Sequence, residues 1–177
     1  LITALNRDIR EYAKCNIYMT LNVIDEACYG RDQQKRFIKN PKATTSDTNI
    51  EGYDYLFIDI DPHRPTGTSS TEKQVAAAKE IGNKVYSFMK KIGFNDPVFG
   101  FSGNGVHLLY KIEVQNDDAG KELIKKCLQV LDMYFSNEDI RIDLKNFNPA
   151  RVCKLYGTQA QKGADTKERP HRMSHII

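Results

Sequence analysis

Residues 53–65, YDYLFIDIDPHRP, leave few ways for the surrounding chain to fold. Leu56, Ile58 and Ile60 alternate with Phe57, Asp59 and Asp61, the period-two pattern of a β-strand buried on one face. Side chains two apart on a strand share a face, so Asp59 and Asp61 project together from the opposite side. Two carboxylates that close repel each other, and keeping both ionised calls for a cation between them. Hard divalent ions such as Mg²⁺ or Mn²⁺ prefer such oxygen ligands. Pro62 lacks a backbone donor and ends the strand, which puts the pair at its edge, within reach of a substrate. A solvated strand end with two surface aspartates would read the same way, so the rest of the chain has to decide.

The 177 residues suffice for one substantial domain or for two small modules sharing a core. With 40% apolar and 28% charged residues, the chain reads as globular rather than disordered. A net charge of +3 tolerates a polyanionic partner without demanding one, so local clustering of charge matters more. No run has the length of a membrane helix and no signal peptide is visible; the absence of an initiator Met at Leu1 suggests an excised fragment. Cys15, Cys28, Cys127 and Cys153 lie far apart, as reduced, mostly buried thiols of a cytoplasmic protein would. His171 and His175 have metal-ligand spacing, but no cysteine pair accompanies them, and zinc is not expected.

Leu1, Leu5, Ile9 and Tyr12 predict a helix over 1–13, and alternation predicts a strand over 16–24. Arg31, Lys35, Arg36 and Lys39 form a basic cluster with the spacing of a short helix, and 44–47 reads as a polar loop. Beyond the Asp59 strand come a helix of about 71–92, started by Ser69 with Glu72 as a capping box, and closed by Gly93. Strands over 97–101 and 106–114 flank Ser102-Gly103-Asn104-Gly105, a hairpin signal. A second helix over 118–135, capped by Asp117 or Asp118, precedes strands over 140–144 and 151–156.

The order β-α-β-β-α-β is that of a ferredoxin-like or RRM-like α+β sheet, in which the first strand lies between the third and the fourth. Asp59 and Asp61 would then have 106–114 on one side and 140–144 on the other. Val106, Leu108, Tyr110 and Ile112 suit the helix-covered face, which leaves His107 on the open one. Ile140, Ile142 and Leu144 turn inward, which leaves Arg141 and Asp143 outward. Three aspartates and a histidine from distant parts of the chain therefore converge on one sheet face, a constellation that favours a metal site.

Asp59, Asp61 and Asp143 could cage two divalent ions, Mg²⁺ or Mn²⁺, for in-line displacement at phosphorus. His107 would serve as a phosphate donor, and Ser102 and Asn104 sit in a glycine-flanked turn whose amides could approach an anion. The same turn suits a plain tight hairpin. Arg151 and Lys154 could both reach a triphosphate if their segment bends across the site, although in a regular strand they would face opposite ways. Lys162, Arg169, His171 and Arg172 form a basic tail suited to phosphate contact, with Arg172 foremost, or else an ordinary solvated loop.

Taken together, FIDIDPHRP at 57–65, SGNGVHLLY at 102–110 and IDL at 142–144 resemble the three motifs of the archaeo-eukaryotic primase superfamily, in their usual order. The likeness is nearest to the primase–polymerase branch of phages, plasmids and CRISPR-associated operons. Strings similar to TLN (20–22), TTSDTNI (44–50), NPARVCKLYGT (148–158) and RPHRMSHI (169–176) recur there. Four residues separate Ser102 from His107, where the family pattern has one, which makes Asn104 a candidate beside Ser102 for the small polar place nearer the histidine.

The resemblance implies template-directed nucleotidyl transfer, with Asp59, Asp61 and Asp143 on two metal ions. Ser102, Asn104 and His107, helped by Arg151, Lys154 and Arg172, would hold a (d)NTP. It implies an N-terminal α/β module (1–53) packed on an RRM-like module (54–177), with single-stranded DNA template and primer between them. Arg31, Lys35, Arg36 and Arg64 would contact that nucleic acid, and helicase or accessory domains would lie elsewhere in a longer protein. Two other classes stay open: a template-independent palm-type nucleotidyltransferase or cyclase, and a non-catalytic RRM-like module that stacks bases on Tyr55 and Phe57.

Overall fold

The computed structural model describes Arg7, residues 9–30 and residues 44–177. In chain order the elements are β1 (Tyr18–Thr20), β2 (Gly52–Pro62), α1 (Glu72–Lys91), β3 (Val98–Phe101), β4 (Val106–Gln115) and α2 (Asp118–Phe135). The short strands β5 (Ile140–Ile142), β6 (Val152–Lys154), β7 (Gln159–Ala160), β8 (Arg172–Met173) and β9 (His175–Ile176) follow. The architecture is α+β, built on a five-stranded antiparallel sheet in the order β5-β2-β4-β3-β9. The aspartate-bearing strand β2 therefore has β4 on one side and β5 on the other, the neighbours expected for it.

The apolar half of each alternation packs against the helices. Leu56, Ile58 and Ile60 of β2, Val106, Leu108 and Tyr110 of β4, and Ile140 and Ile142 of β5 form one core with Val75, Ala78, Ile81 and Val85 of α1 and Ile124, Leu128 and Leu131 of α2. Burial on this scale is the main stabilising term of the fold. Helix α2 has the bounds read from the sequence, and Asp117 caps it by accepting the Gly120 amide at 2.7 Å. Helix α1 starts differently from the expected Ser69–Glu72 box. Thr71 and Gln74 make the reciprocal cap, while the Ser69 hydroxyl donates to the Lys162 carbonyl at 3.0 Å.

The opposite sheet face is not open. Phe57 and Leu109 lie under Cys153 of β6 in a second apolar cluster, joined by Leu21, Tyr55 and Tyr156. The covering layer is the β1–β6 ladder, in which Tyr18 pairs with Lys154 and Met19 with Cys153. Tyr156 can approach the sheet closely because residue 100 is glycine: a Cβ there would clash with the tyrosine ring. The strand expected over 16–24 shrinks to three residues, since Asn22 leaves the ladder to bind the Pro149 carbonyl and the Asp54 amide.

Residues 9–11 are helical, but most of the helix expected over 1–13 lies outside the described residues, as do Arg31, Lys35, Arg36 and Lys39. Among the described residues, no helix is long and apolar enough to cross a membrane.

Candidate active site

The β2–β4 register sets Asp59 opposite His107, and the β2–β5 register sets Asp61 opposite Arg141. Asp143 follows β5 directly, its amide donating to the Asp59 carbonyl at 2.9 Å. It caps the short 3-10 helix Leu144–Phe147, where a continuation of the strand was expected. All three carboxylates line one cavity of about 560 Å³, each with a fifth to a quarter of its side chain exposed. The same wall carries His107, Ser102, Asn104 and five basic residues, Arg64, Arg141, Arg151, Lys154 and Lys162.

Each carboxylate has its own cation. His107 Nε2 stands 3.4 Å from Asp59 Oδ1, Arg64 Nη2 donates to Asp61 Oδ2 at 3.1 Å, and Arg151 Nη2 donates to Asp143 Oδ2 at 2.9 Å. The charge that separates the aspartates is thus supplied by side chains. Among the described residues, no three acidic, histidine or cysteine side chains converge as a ready-made metal cage. The three aspartates line one cavity, each against its own basic partner.

His107 departs most from expectation. It is buried rather than set on an open face, edge-on to Phe57 at 4.9 Å, with Nδ1 3.0 Å from the Tyr156 hydroxyl and 3.5 Å from Cys153 Sγ. Burial would drive off its proton, but the Asp59 carboxylate overrides that, and the pKa is pushed up to about 10. Burial also raises Asp59, yet the His107 imidazolium, with Arg64 and Arg151, holds this carboxyl below its ordinary value. For Asp61 burial and the Asp59 charge win over Arg64 and Lys162, and its pKa is raised.

Ser102 and Asn104 line the cavity but spend their polar atoms on structure. The Ser102 hydroxyl accepts the Gly105 and Asn104 amides at 2.9 and 3.3 Å, so the turn's own side chain uses the amides expected to cradle phosphate. Asn104 Oδ1 accepts the Ser70 amide at 2.8 Å and ties the hairpin to the start of α1. Gly105 is needed at that contact, because a Cβ would lie 2.2 Å from the Ile60 carbonyl oxygen and 2.7 Å from Asp61 Oδ1.

Arg172 lies outside the cavity lining. Its guanidinium holds Glu72 Oε1 at 2.7 and 3.1 Å and the Ser70 carbonyl at 2.8 Å, which fastens the C-terminal segment to the start of α1. Arg169 does the same through Ser69 and Gln74. Lys154, by contrast, is buried at the cavity wall, its ammonium donating to the Gln159 carbonyl at 2.9 Å above the Tyr18 ring. Burial pushes its pKa down to about 8. Arg151 and Lys154 both reach the cavity despite their odd spacing, because Arg151 precedes β6 and lies outside its alternation.

Sequence reasoning left out Asn16, Tyr18 and Asn146, which also line the cavity. Nothing local marks them; they arrive through the β1–β6 ladder and the turn after β5.

One feature of this lining suits a divalent cation. Asp59 Oδ1 is buried with no hydrogen-bond donor, the 3.4 Å approach of His107 being too long to satisfy it. Buried acceptors are almost always satisfied, so an unsatisfied carboxylate oxygen on a residue that lines the cavity suits a hard cation.

No family model matches the sequence, and no curated protein matches it. Among solved structures, the polymerase domain from Mycobacterium tuberculosis ligase D in complex with DNA is similar over 78% of this chain, with 17% identity and a TM-score of 0.45. The chain spans about half, 49%, of that structure's length.

Proposed function

We propose that this chain is the catalytic core of a DNA primase–polymerase, transferring nucleotides from (d)NTPs to a 3′-hydroxyl under the direction of a single-stranded DNA template. The observation that carries the reading is the single cavity in which Asp59, Asp61 and Asp143 face five basic side chains, with an orphaned oxygen on Asp59. The strand order around β2 and the order of the three aspartate and histidine motifs along the chain agree with an RRM-like core of this kind.

Held by the three aspartates, two Mg²⁺ or Mn²⁺ ions would activate the attacking hydroxyl and neutralise the departing pyrophosphate. The chain's own contribution is charge and position. Arg151, Lys154 and Lys162 bring positive charge to the wall that a triphosphate would occupy. His107 keeps Asp59 ionised and in place, as a positioning residue beneath the carboxylate rather than a phosphate donor. Arg64 and Arg151, paired with Asp61 and Asp143, hold further positive charge at the cavity wall, where it would suit the phosphates of a bound nucleotide.

A base-stacking, non-catalytic module loses its platform here. Phe57 is buried beneath Cys153, and Tyr55 packs in the same cluster with the Lys111 ammonium 5.1 Å over its ring.

The test is extension of a labelled primer on single-stranded template with Mn²⁺ or Mg²⁺. Template-directed extension, lost in Asp59→Asn/Asp61→Asn, is the expected result. Product formed equally without template, or cyclic nucleotides alone, would overturn the polymerase reading.

A further inference from the structure

Beside the aspartate-lined cavity lies a second one of about 540 Å³, and the two share a wall made by Tyr18, Arg151 and Val152. Their linings differ in kind. The first holds three carboxylates and five basic groups. The second is lined by Thr20, Thr44, Thr45 and Asn148, with only Asp47 and Arg151 charged, and Asp47 already accepts the Ala150 amide at 3.1 Å. A lining of hydroxyls and an amide offers hydrogen bonds to neutral polar groups and little to attract a polyphosphate.

Tyr18 stands at the seam. It is 54% exposed although it sits in a β-ladder opposite buried Lys154, whose ammonium lies 5.6 Å from its ring centroid. One side of the ring thus has a cation, and the rest faces the cavities. Burial, and then the charges of Asp59 and Asp61, raise its phenol pKa, which places the ring within the field of the aspartates. An exposed aromatic face next to a charged cavity is a stacking surface for a nucleobase.

We infer that Tyr18 and the threonine-lined cavity form the nucleoside subsite of the bound nucleotide, the triphosphate lying in the first cavity and the base and sugar passing over the Tyr18 ring into the second. The inference rests on the proposal that the first cavity takes a triphosphate. Both cavities have the volume of ordinary small-molecule sites, and together they suit one nucleotide with its charged and neutral halves separated. Tyr18 is then a substrate-contacting residue whose main contact is with the base.

Calorimetric titration with inorganic tripolyphosphate and with ATP, both with Mg²⁺, separates the two halves. The wild-type chain should bind ATP about tenfold more tightly than tripolyphosphate, the contribution expected of one stacked base. Tyr18→Ala should erase that difference, with ATP losing about tenfold more affinity than tripolyphosphate, and Tyr18→Phe should keep it. Thr45→Val should weaken ATP alone. Equal affinities of the wild-type chain for the two ligands would overturn the nucleoside subsite and leave the triphosphate cavity standing. Loss of both ligands in Tyr18→Ala, with the fold intact by circular dichroism, would overturn the division of the site. Binding of neither ligand by the wild-type chain would overturn both readings.

Discussion

Asp59 and His107 face each other across the β2–β4 ladder, with Nε2 3.4 Å from Oδ1 and the imidazole almost entirely buried. The pair is an imidazolium and a carboxylate, each holding the other charged against burial. Its geometry follows from register alone, because every residue of one strand has a fixed partner on the next.

Removing the imidazole therefore leaves the Asp59 carboxylate with only Arg64 and Arg151, which already pair with other aspartates, as counter-charges. His107→Ala is expected to cost about 2–3 kcal/mol of stability, somewhat below the usual loss for a broken buried pair because Asp59 keeps contact with the cavity. Asp59→Asn should cost less, about 1 kcal/mol, since a buried histidine without its carboxylate can shed its proton. Urea denaturation of both variants in metal-free buffer ranks them, and the reverse order would contradict the pairing.

The arginines on the other two carboxylates lead to a different expectation. Arg64 is nearly buried and holds Asp61 Oδ2, the Pro62 carbonyl and the Thr68 carbonyl together. Its charge stands where a divalent ion would be repelled. Arg64→Gln should tighten Mn²⁺ binding by about threefold to tenfold while slowing nucleotide transfer, the first from lost repulsion and the second from lost phosphate contact. Electron paramagnetic resonance of free Mn²⁺ reads the affinity directly. Weaker binding in the variant would show that Arg64 positions Asp61 for the metal rather than competing with it.

Much of this arrangement was legible in the sequence, and the limits are physical. Alternation assigned Asp59 and Asp61 to one face of β2, and the order of elements set β4 and β5 beside it, because both depend on local periodicity and short connections. The chemical state of those residues was not legible. Arg172 reads as a phosphate ligand until Glu72, a hundred residues away, takes its guanidinium. Ser102 reads as a cradle for an anion, yet its hydroxyl closes its own turn. Tyr18 carries no local signal, since its place depends on a strand pairing with β6 at the far end of the chain. Single-sequence patterns report which face a side chain occupies, whereas its partner on that face is a tertiary fact.

Two glycines should behave differently when given a methyl group. At Gly105 the new carbon meets the Ile60 backbone oxygen at 2.2 Å, which cannot move without opening the β2–β4 ladder beside Asp61. At Gly100 it meets the far end of the Tyr156 side chain at 2.3 Å, and a ring can swing away. Gly105→Ala is expected to lose about 2–4 kcal/mol, and Gly100→Ala about half as much. Thermal and urea unfolding compare them. Equal losses would mean that the Tyr156 contact to His107 is as rigid as the ladder.

Lys154 gives the site a pH dependence of its own. Among the described residues its ammonium has no carboxylate partner, and burial lowers its pKa from the ordinary 10.5 to about 8. Since the folded pKa is the lower, the folded chain bears the full desolvation penalty at and below pH 8. Between there and the unfolded value the unfolded chain holds more protons, so stability rises with pH across that window. A bound polyphosphate favours the charged lysine and has the opposite dependence. From about pH 7.5 to about pH 9.5 the wild-type chain should lose affinity for tripolyphosphate relative to Lys154→Met, in which both slopes vanish. Parallel titrations of the two proteins across that range, with urea denaturation of each, test the assignment. Identical pH profiles would remove Lys154 from the anion site and leave it a buried lysine held by the Gln159 carbonyl.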